Sequence, residues 1–360
     1  MKKSLEDKLR MAQTWASGLG GGTIPKEWRY PEQMELRHHG ERRTPAEISE
    51  IVLRDPGVRD ILFFIHGLMY DETCWQAPDF NMTEAFEDDF GIFPVHIRYD
   101  TGRHISDNGL DLANLLEELF QSVEDTCGSW HIVAHSMGGL VIHSALHQAE
   151  KTGMDFTKKV DKVFLLAVPH QGAPLEKAVQ LVRLALKAAP YLPFRYTGLG
   201  LKRLFQSIPV GEKETLAPVG EVVDFFVRRV PTLAIKLAAG ILDLRSEGIL
   251  DLRHGYMLQE EWEQAEAWGG MIPRKAPVPP LPGARYYALT GSLSEKSSGD
   301  PSPFVNDGMV STASAANIGR DDELRFLEND RYRHLPGVNH FGMALNPDVY
   351  RALAEWFSEE

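Results

Sequence analysis

Ser136 sits where a β-type run, Ile132-Val133-Ala134, gives way to a helix-type run from Gly139 to Glu150. A serine hydroxyl is a poor nucleophile at neutral pH. It needs a base to take its proton and an acid to hold that base in the right tautomer. A tight strand-to-helix turn displays a serine for this chemistry. Such a turn strains the serine backbone, and the residues two before and two after collide unless they are small. Here those residues are Ala134 and Gly138. Alanine in place of the more usual glycine adds one methyl group, a mild departure.

The partners of such a serine follow it in the order acid, then histidine, in α/β-hydrolases. Downstream of the turn and outside the helix that follows it, the histidines are His170, His254, His334 and His340. Only His340 lies in a glycine-bearing loop, Pro336-Gly-Val-Asn-His340-Phe-Gly, between the expected last strand and a closing helix. It is the expected base. His334, inside a strand-like segment, is the reserve, and His170 follows the wrong strand and reads as structural. For the acid, the loop after the Tyr286–Thr290 run offers Glu295, Asp300 and Asp307. Asp307 is preferred because Asn-Asp-Gly is a tight turn that aims a carboxylate at a neighbouring loop. Acyl transfer also develops an oxyanion that needs two preorganised donors, each worth about 3 kcal/mol. The amide of Met137, directly after the serine, is one candidate. The other is Leu68 N–H in His66-Gly67-Leu68, directly after the apolar run Ile61–Ile65. His66 itself reads as a histidine that braces the loop.

These residues must hang on a sheet. Ile61–Ile65, Ile92–Ile97, Val163–Val168 and Arg285–Thr290 are largely apolar runs, as strands buried on both faces should be. Ile48–Leu53 reads as an early strand, and Leu324–Leu327 or Tyr332–Leu335 as the last one. Helices are expected over Leu110–Val123, with Leu112, Leu115, Leu116, Leu119 and Phe120 on one face, and over Pro347–Phe357. Arg98, Arg103 and His104 read as braces at the carboxyl edge of the sheet. From about Ala173 to Pro282 the alternation stops. Helical stretches at 175–189, 221–229, 232–244 and 259–268 precede a stiff Pro-rich return, Pro273–Pro282. The expectation is an N-terminal extension over 1–58, a core over 59–172 and 284–360, and an inserted helical cap over 173–283.

Composition narrows the partners. The chain has 360 residues, 43% hydrophobic and 25% charged, with ample material for a large core. A net charge of −13 argues against nucleic acid or an anionic membrane as a partner. No run reaches the roughly 18 apolar residues of a membrane span, and Ser4–Arg10 leaves no room for the apolar stretch of an export signal. A cytoplasmic chain with no integral membrane segment is expected. The two cysteines, Cys74 and Cys127, cannot make a disulfide framework and are taken as thiols.

Phe64-Ile-His-Gly-Leu68, Ala134-His-Ser-Met-Gly-Gly139, Val168-Pro-His-Gln-Gly172, Asn306-Asp-Gly-Met-Val310 and Val338-Asn-His-Phe341 resemble segments of bacterial triacylglycerol lipases and esterases. They also resemble the deacylases that act on GPI-anchor inositol acyl groups. The likeness covers about 60–172 and 284–357. Arg98–Gly109 and Ser246–Gly255 look like segments of bacterial members of that group, with no mechanism attached. It implies an α/β-hydrolase fold: a mostly parallel central sheet, helices on both faces and an inserted helical cap. It also implies a serine carboxylester hydrolase for hydrophobic or lipid-like esters, with Asp307 as acid. Such lipases often bind calcium through an aspartate two residues after the histidine. That position is Gly342 here, so no metal is expected, and no cofactor. Acyl transfer, or amide or polyester hydrolysis, would use the same residues. A non-catalytic binding protein would usually have lost one of them.

Overall fold

The strand Ile61–Ile65 (β3) shows why the fold is layered: its successive side chains enter opposite hydrophobic clusters, and all five are buried. Ile61, Phe63 and Ile65 face one cluster, Leu62 and Phe64 the other. A strand alternates its side chains with period two, so an unbroken apolar run must be covered on both sides. The same split recurs in Trp130–His135 (β7), Val160–Leu166 (β8) and Arg285–Ser292 (β9), while Phe93–Arg98 (β6) sends Phe93, Val95 and Ile97 into the first cluster and turns Pro94, His96 and Arg98 to the other face. This computed structural model describes residues 5–21, 29–54, 60–123, 128–173, 246–267, 275–276, 278–293, 307–316 and 331–359.

Among the described residues the main sheet runs β10-β9-β8-β7-β3-β6-β1-β2, with Tyr332–Pro336 as β10, Glu35–His38 as β1 and Glu41–Arg43 as β2. From β10 to β6 every pairing is parallel; β1 runs antiparallel to both β6 and β2. A two-residue ladder joins Gln76–Ala77 (β4) to Phe80–Asn81 (β5). One face is covered by Pro45–Arg54 (α2), Ile105–Val123 (α4) and Met137–Thr152 (α5), through residues such as Ile48, Leu116 and Leu140. The other is covered by Met82–Phe90 (α3) and the closing helix Pro347–Phe357 (α9), through Phe86, Leu353 and Trp356. Helices on both faces of a mostly parallel sheet are the α/β layer solution.

Several expectations need revising. Ile48–Leu53 is not a strand but lies within α2. Thr44 and Glu47 form a reciprocal cap, Thr44 N–H to Glu47 Oε2 at 2.7 Å and Glu47 N–H to Thr44 Oγ1 at 3.2 Å. That cap outweighs the β-branched side chains of Ile48, Ile51 and Val52, which instead form a helical stripe. The helix expected from Leu110 starts five residues earlier, at Ile105. Its first amide donates to Asp251 Oδ2 at 2.8 Å, a cap supplied from far along the chain. Gly109, just before the expected helix start, lies inside α4 at the point where α5 passes. A Cβ at Gly109 would stand 2.6 Å from Ser144 Cβ. The last strand is Tyr332–Pro336; the alternative at 324–327 lies outside the described residues.

The remaining chain falls as follows. Leu5–Gly20 is helix α1, and Glu247–His254 and Gln259–Ala267 are α6 and α7. A short helix, Thr312–Ala315 (α8), precedes β10. The helices expected at 175–189, 221–229 and 232–244, and Cys127, lie outside the described residues. Leu252, Met257, Leu258, Val278 and Leu281 share a hydrophobic cluster with the sheet. Among the described residues no helix is long and apolar enough to cross a membrane.

Contact at Gly109 sets the distance between α4 and α5. Gly109→Val should therefore lower the unfolding free energy by about 1–3 kcal/mol through overpacking. Urea denaturation reads this directly, and an unchanged midpoint and slope would count against close packing of the two helices at that point.

Candidate active site

Ser136 has φ 53° and ψ −123°, a left-handed backbone that a residue with a Cβ avoids. It joins the carboxyl end of β7 to the start of α5. A turn of this kind costs on the order of 1–3 kcal/mol and persists only where its surroundings over-determine it. Ser136 N–H donates to Leu166 O at 2.9 Å, tying the turn to β8. Gly138 lies against the end of β3, where a Cβ would meet His66 O at 2.5 Å and Ile65 O at 2.6 Å. Ala134, the unusual small residue, is fully buried between Ile65 and Leu165 in the sheet, so its methyl fills core rather than colliding.

Three sequence-predicted residues meet at this turn, and all are nearly inaccessible: Ser136 is 7% exposed, His340 3% and Asp307 2%. His340 Nε2 stands 2.9 Å from Ser136 Oγ, and His340 Nδ1 stands 2.8 Å from Asp307 Oδ2. A carboxylate only accepts, so Nδ1 carries the proton and Nε2 offers its lone pair to the serine hydroxyl. Asp307 is aimed by its own turn. Its Oδ1 accepts from Met309 N–H at 3.0 Å and Val310 N–H at 2.8 Å, leaving Oδ2 for the imidazole. The backbone of His340 is held from both sides. Its N–H donates to Asp307 O at 2.8 Å, and its carbonyl lies 2.9 Å from His135 Nε2.

His135 was missed in the sequence, although it stands next to the nucleophile candidate. It is fully buried, and burial first, then the neighbouring His340, push its pKa well below the usual histidine value. Neutral, it can place its one N–H on Nε2 and donate to the His340 carbonyl. No sequence signal separates that role from a histidine merely packed in the core; the partner is 205 residues away.

The two expected amide donors belong to the elements on either side of Ser136 in this site, the helix that follows it and the loop after β3. Met137 is the first residue of α5, where a helix amide has no partner within the helix and the helix dipole is positive. Leu68 follows Gly67, whose Cβ, if present, would lie 3.0 Å from Ser136 Cβ. The loop after β3 therefore rests on the serine turn. His66 braces that loop: its ring stacks on Tyr99 at 4.4 Å, and its carbonyl accepts from Tyr99 Oη at 2.7 Å.

The other candidates are engaged elsewhere. His334 bonds Thr290 Oγ1 at 3.0 Å and Ser292 Oγ at 3.1 Å, and His170 Nε2 stands 3.3 Å from His143 Nε2. His254 stacks on Tyr256. Glu295 and Asp300 lie outside the described residues. Gly342 N–H bonds Asn339 Oδ1 at 2.8 Å within a 3₁₀ turn. Arg98 forks onto Glu72, Arg103 pairs with Asp111, and His104 lies 3.1 Å from Asp251, so all three bind neighbouring chain segments.

His66 and His135 give the site a pH signature. Burial lowers the His66 pKa to about 4 and moves that of His135 in the same direction. The unfolded chain binds a proton on each near pH 6.5 while the folded chain does not. Unfolding free energy should therefore fall as pH drops below about 6.5, by at most about 1.4 kcal/mol per pH unit for each histidine. Urea denaturation between pH 7.5 and 5 checks this. In His66→Gln the fall should be shallower, and a slope equal to wild type would contradict a neutral buried His66.

No protein-family model matches the chain, and no curated protein does. Among solved structures, the chain is similar to the mature Bacillus licheniformis lipase BlEst2, at 18% identity over 83% of this chain and 93% of that one, TM-score 0.44. It is similar also to a carboxylesterase structure from the thaumarchaeon Nitrososphaera gargenis, at 16% identity over 90% and 94%, TM-score 0.44. Potato epoxide hydrolase I matches at 15% identity over 83% and 92%, TM-score 0.42. The fold itself is written in the chain's own topology: a mostly parallel sheet covered on both faces, with β7 passing through a left-handed serine into α5 at its carboxyl edge. This is the α/β-hydrolase fold.

Proposed function

We propose that the chain is a serine carboxylester hydrolase acting on hydrophobic or lipid-like esters. One observation carries the reading. Ser136 Oγ, His340 Nε2, His340 Nδ1 and Asp307 Oδ2 form an unbroken polar chain, with links of 2.9 and 2.8 Å, at a strained turn. Ser136 attacks the ester carbonyl while His340 takes its proton, and Asp307 stabilises the imidazolium. The amides of Leu68 and Met137 receive the negative charge that develops on the carbonyl oxygen. His340 then gives its proton to the departing alkoxide as the C–O bond breaks. Water, deprotonated by His340 in turn, releases the acid from the acyl-serine and regenerates the hydroxyl.

The apolar preference rests on what neighbours these groups. Leu68, Met69 and Tyr70 lie in the loop after β3, Met309 is two residues past Asp307, and Phe341 follows His340; all are half-buried. Apolar surface beside reacting polar groups favours an apolar acyl or alcohol chain. On this reading the 173–283 insertion is a cap that completes the acyl pocket.

A chain-length series of p-nitrophenyl esters, with wild type and Ser136→Ala, tests the proposal. Turnover is expected in wild type, together with Ser136 labelling by a fluorophosphonate, and neither in the variant. Absence of both in wild type overturns the reading. Asp307→Asn should lower kcat by up to about 10⁴-fold, since it removes the anion that fixes the tautomer. A kcat within tenfold of wild type would exclude Asp307 as the acid.

A further inference from the structure

Helix α1 precedes the sheet, yet it closes on the loop that follows β3. Arg10 Nε donates to Asp71 Oδ2 at 3.2 Å, and Asp71 is 6% exposed. At the other end of α1, a Cβ on Gly18 would lie 2.7 Å from Met69 Cγ and 2.8 Å from Thr101 Oγ1. Met69 itself has φ 59°, the left-handed region, and its N–H donates to Thr101 Oγ1 at 3.1 Å. Three independent contacts thus bear on the two residues either side of Tyr70.

The contact is knitted to α6 as well. Ser246 Oγ donates to Gly18 O at 2.6 Å, and Gly248 N–H reaches Gly102 O at 3.3 Å. A Cβ on Gly21 would stand 2.5 Å from Gly102 O, and one on Gly248 would stand 3.0 Å from Met137 Cε. Three backbones pass at distances only glycine allows, and the side chain of Met137 abuts the junction. The segments 98–109 and 246–255, which carried no mechanism in the sequence, meet here.

We propose that Thr101 and the α1 residues Arg10 and Gly18 are positioning residues for the oxyanion loop. They hold Met69 in its left-handed conformation and so aim the preceding amide, Leu68 N–H, at the carbonyl oxygen. The inference rests on the ester-hydrolase reading above. A peptide held at positive φ relaxes toward ordinary backbone when its restraints go, and that relaxation rotates the Leu68–Met69 peptide and its neighbour. The loss then appears where charge develops, in the transition state, and not in ground-state binding.

Kinetics on a turned-over p-nitrophenyl ester, normalised to fluorophosphonate-titrated sites so that unfolded protein is not counted, test the proposal. Thr101→Val, which removes the acceptor of Met69 N–H, should lower kcat about 10-fold or more with KM changed less than about twofold, a part of the 10²–10³-fold worth of one oxyanion donor. Thr101→Ser keeps the hydroxyl and should recover most of the rate. Arg10→Met acts from the half-buried side of α1 and should show the same kcat-weighted loss in smaller measure, which keeps the test open should Thr101→Val fail to fold. Wild-type turnover with both Thr101→Val and Arg10→Met at the wild-type kcat overturns the positioning role alone. So does a loss confined to KM, or Thr101→Ser as impaired as Thr101→Val. No turnover in wild type overturns the ester-hydrolase reading and this inference with it.

Discussion

The close approach of the β3 end to the serine turn is the constraint on which the rest depends. Ile65 O and His66 O lie where a side chain at position 138 would stand, and Ser136 takes a positive φ to pass between β7 and α5. Strain of on the order of 1–3 kcal/mol is a sizeable part of a net stability of roughly 5–15 kcal/mol. It holds because both flanking elements are pinned. β7 lies between β3 and β8, its side chains buried on both faces, and α5 is buried along Met137–Leu146. The turn cannot relax without moving a strand at the centre of the sheet.

Geometry of the polar chain follows from that pinning. Ser136, Asp307 and His340 come from loops after different strands, and each is fixed by bonds other than those linking the three. Ser136 is tied to Leu166 O, Asp307 to the amides of Met309 and Val310, and the His340 carbonyl to His135. A buried polar group without a partner costs about 1–3 kcal/mol. Burial therefore enforces the network as strongly as it hides it. The neutral state of His135 belongs to the same logic: burial first, then the neighbouring His340, disfavours a cation there.

Much of this was legible in the sequence, for a physical reason. Runs such as Ile61–Ile65 and Val163–Leu166 have no polar face, so they read as doubly covered strands, and the loops that follow the strands hold the candidate residues. The Ser, Asp, His order narrows the candidates, and the Asn-Asp-Gly turn and the glycine-bearing loop before the closing helix then select Asp307 and His340. What was misread locally is α2, and what was illegible depends on partners far along the chain. Ile48, Ile51 and Val52 suggest a strand until the Thr44–Glu47 cap is weighed. The start of α4 is set by Asp251, and the place of Gly109 inside α4 by Ser144, 35 residues on. His135 and Thr101 act through contacts at long range, His340 O and Met69 N–H, that leave no local periodicity.

The sheet edge beyond β6 shows how charge does what hydrophobic pattern cannot. β1 has four residues of alternating half-burial, too short for apolar contacts alone to fix its register. Its polar side chains, Glu35 and Arg37, enter a cluster with Arg98 and Glu72: Arg37 Nη1 lies 2.8 Å from Glu35 Oε2, and Arg37 Nε 2.9 Å from Glu72 Oε1. Arg98 is 1% exposed and forks onto Glu72, so two positive and two negative groups balance. Such buried pairs add little net stability, because desolvation offsets attraction, but a misplaced partner leaves a buried charge at about 3–5 kcal/mol. A one-residue slip of β1 would exchange Glu35 and Arg37 for Leu36 and His38 and expose the cluster to that penalty. Glu72 lies in the loop after β3, one residue past Asp71, so the cluster that sets the β1 register also fixes the far end of the loop carrying Leu68.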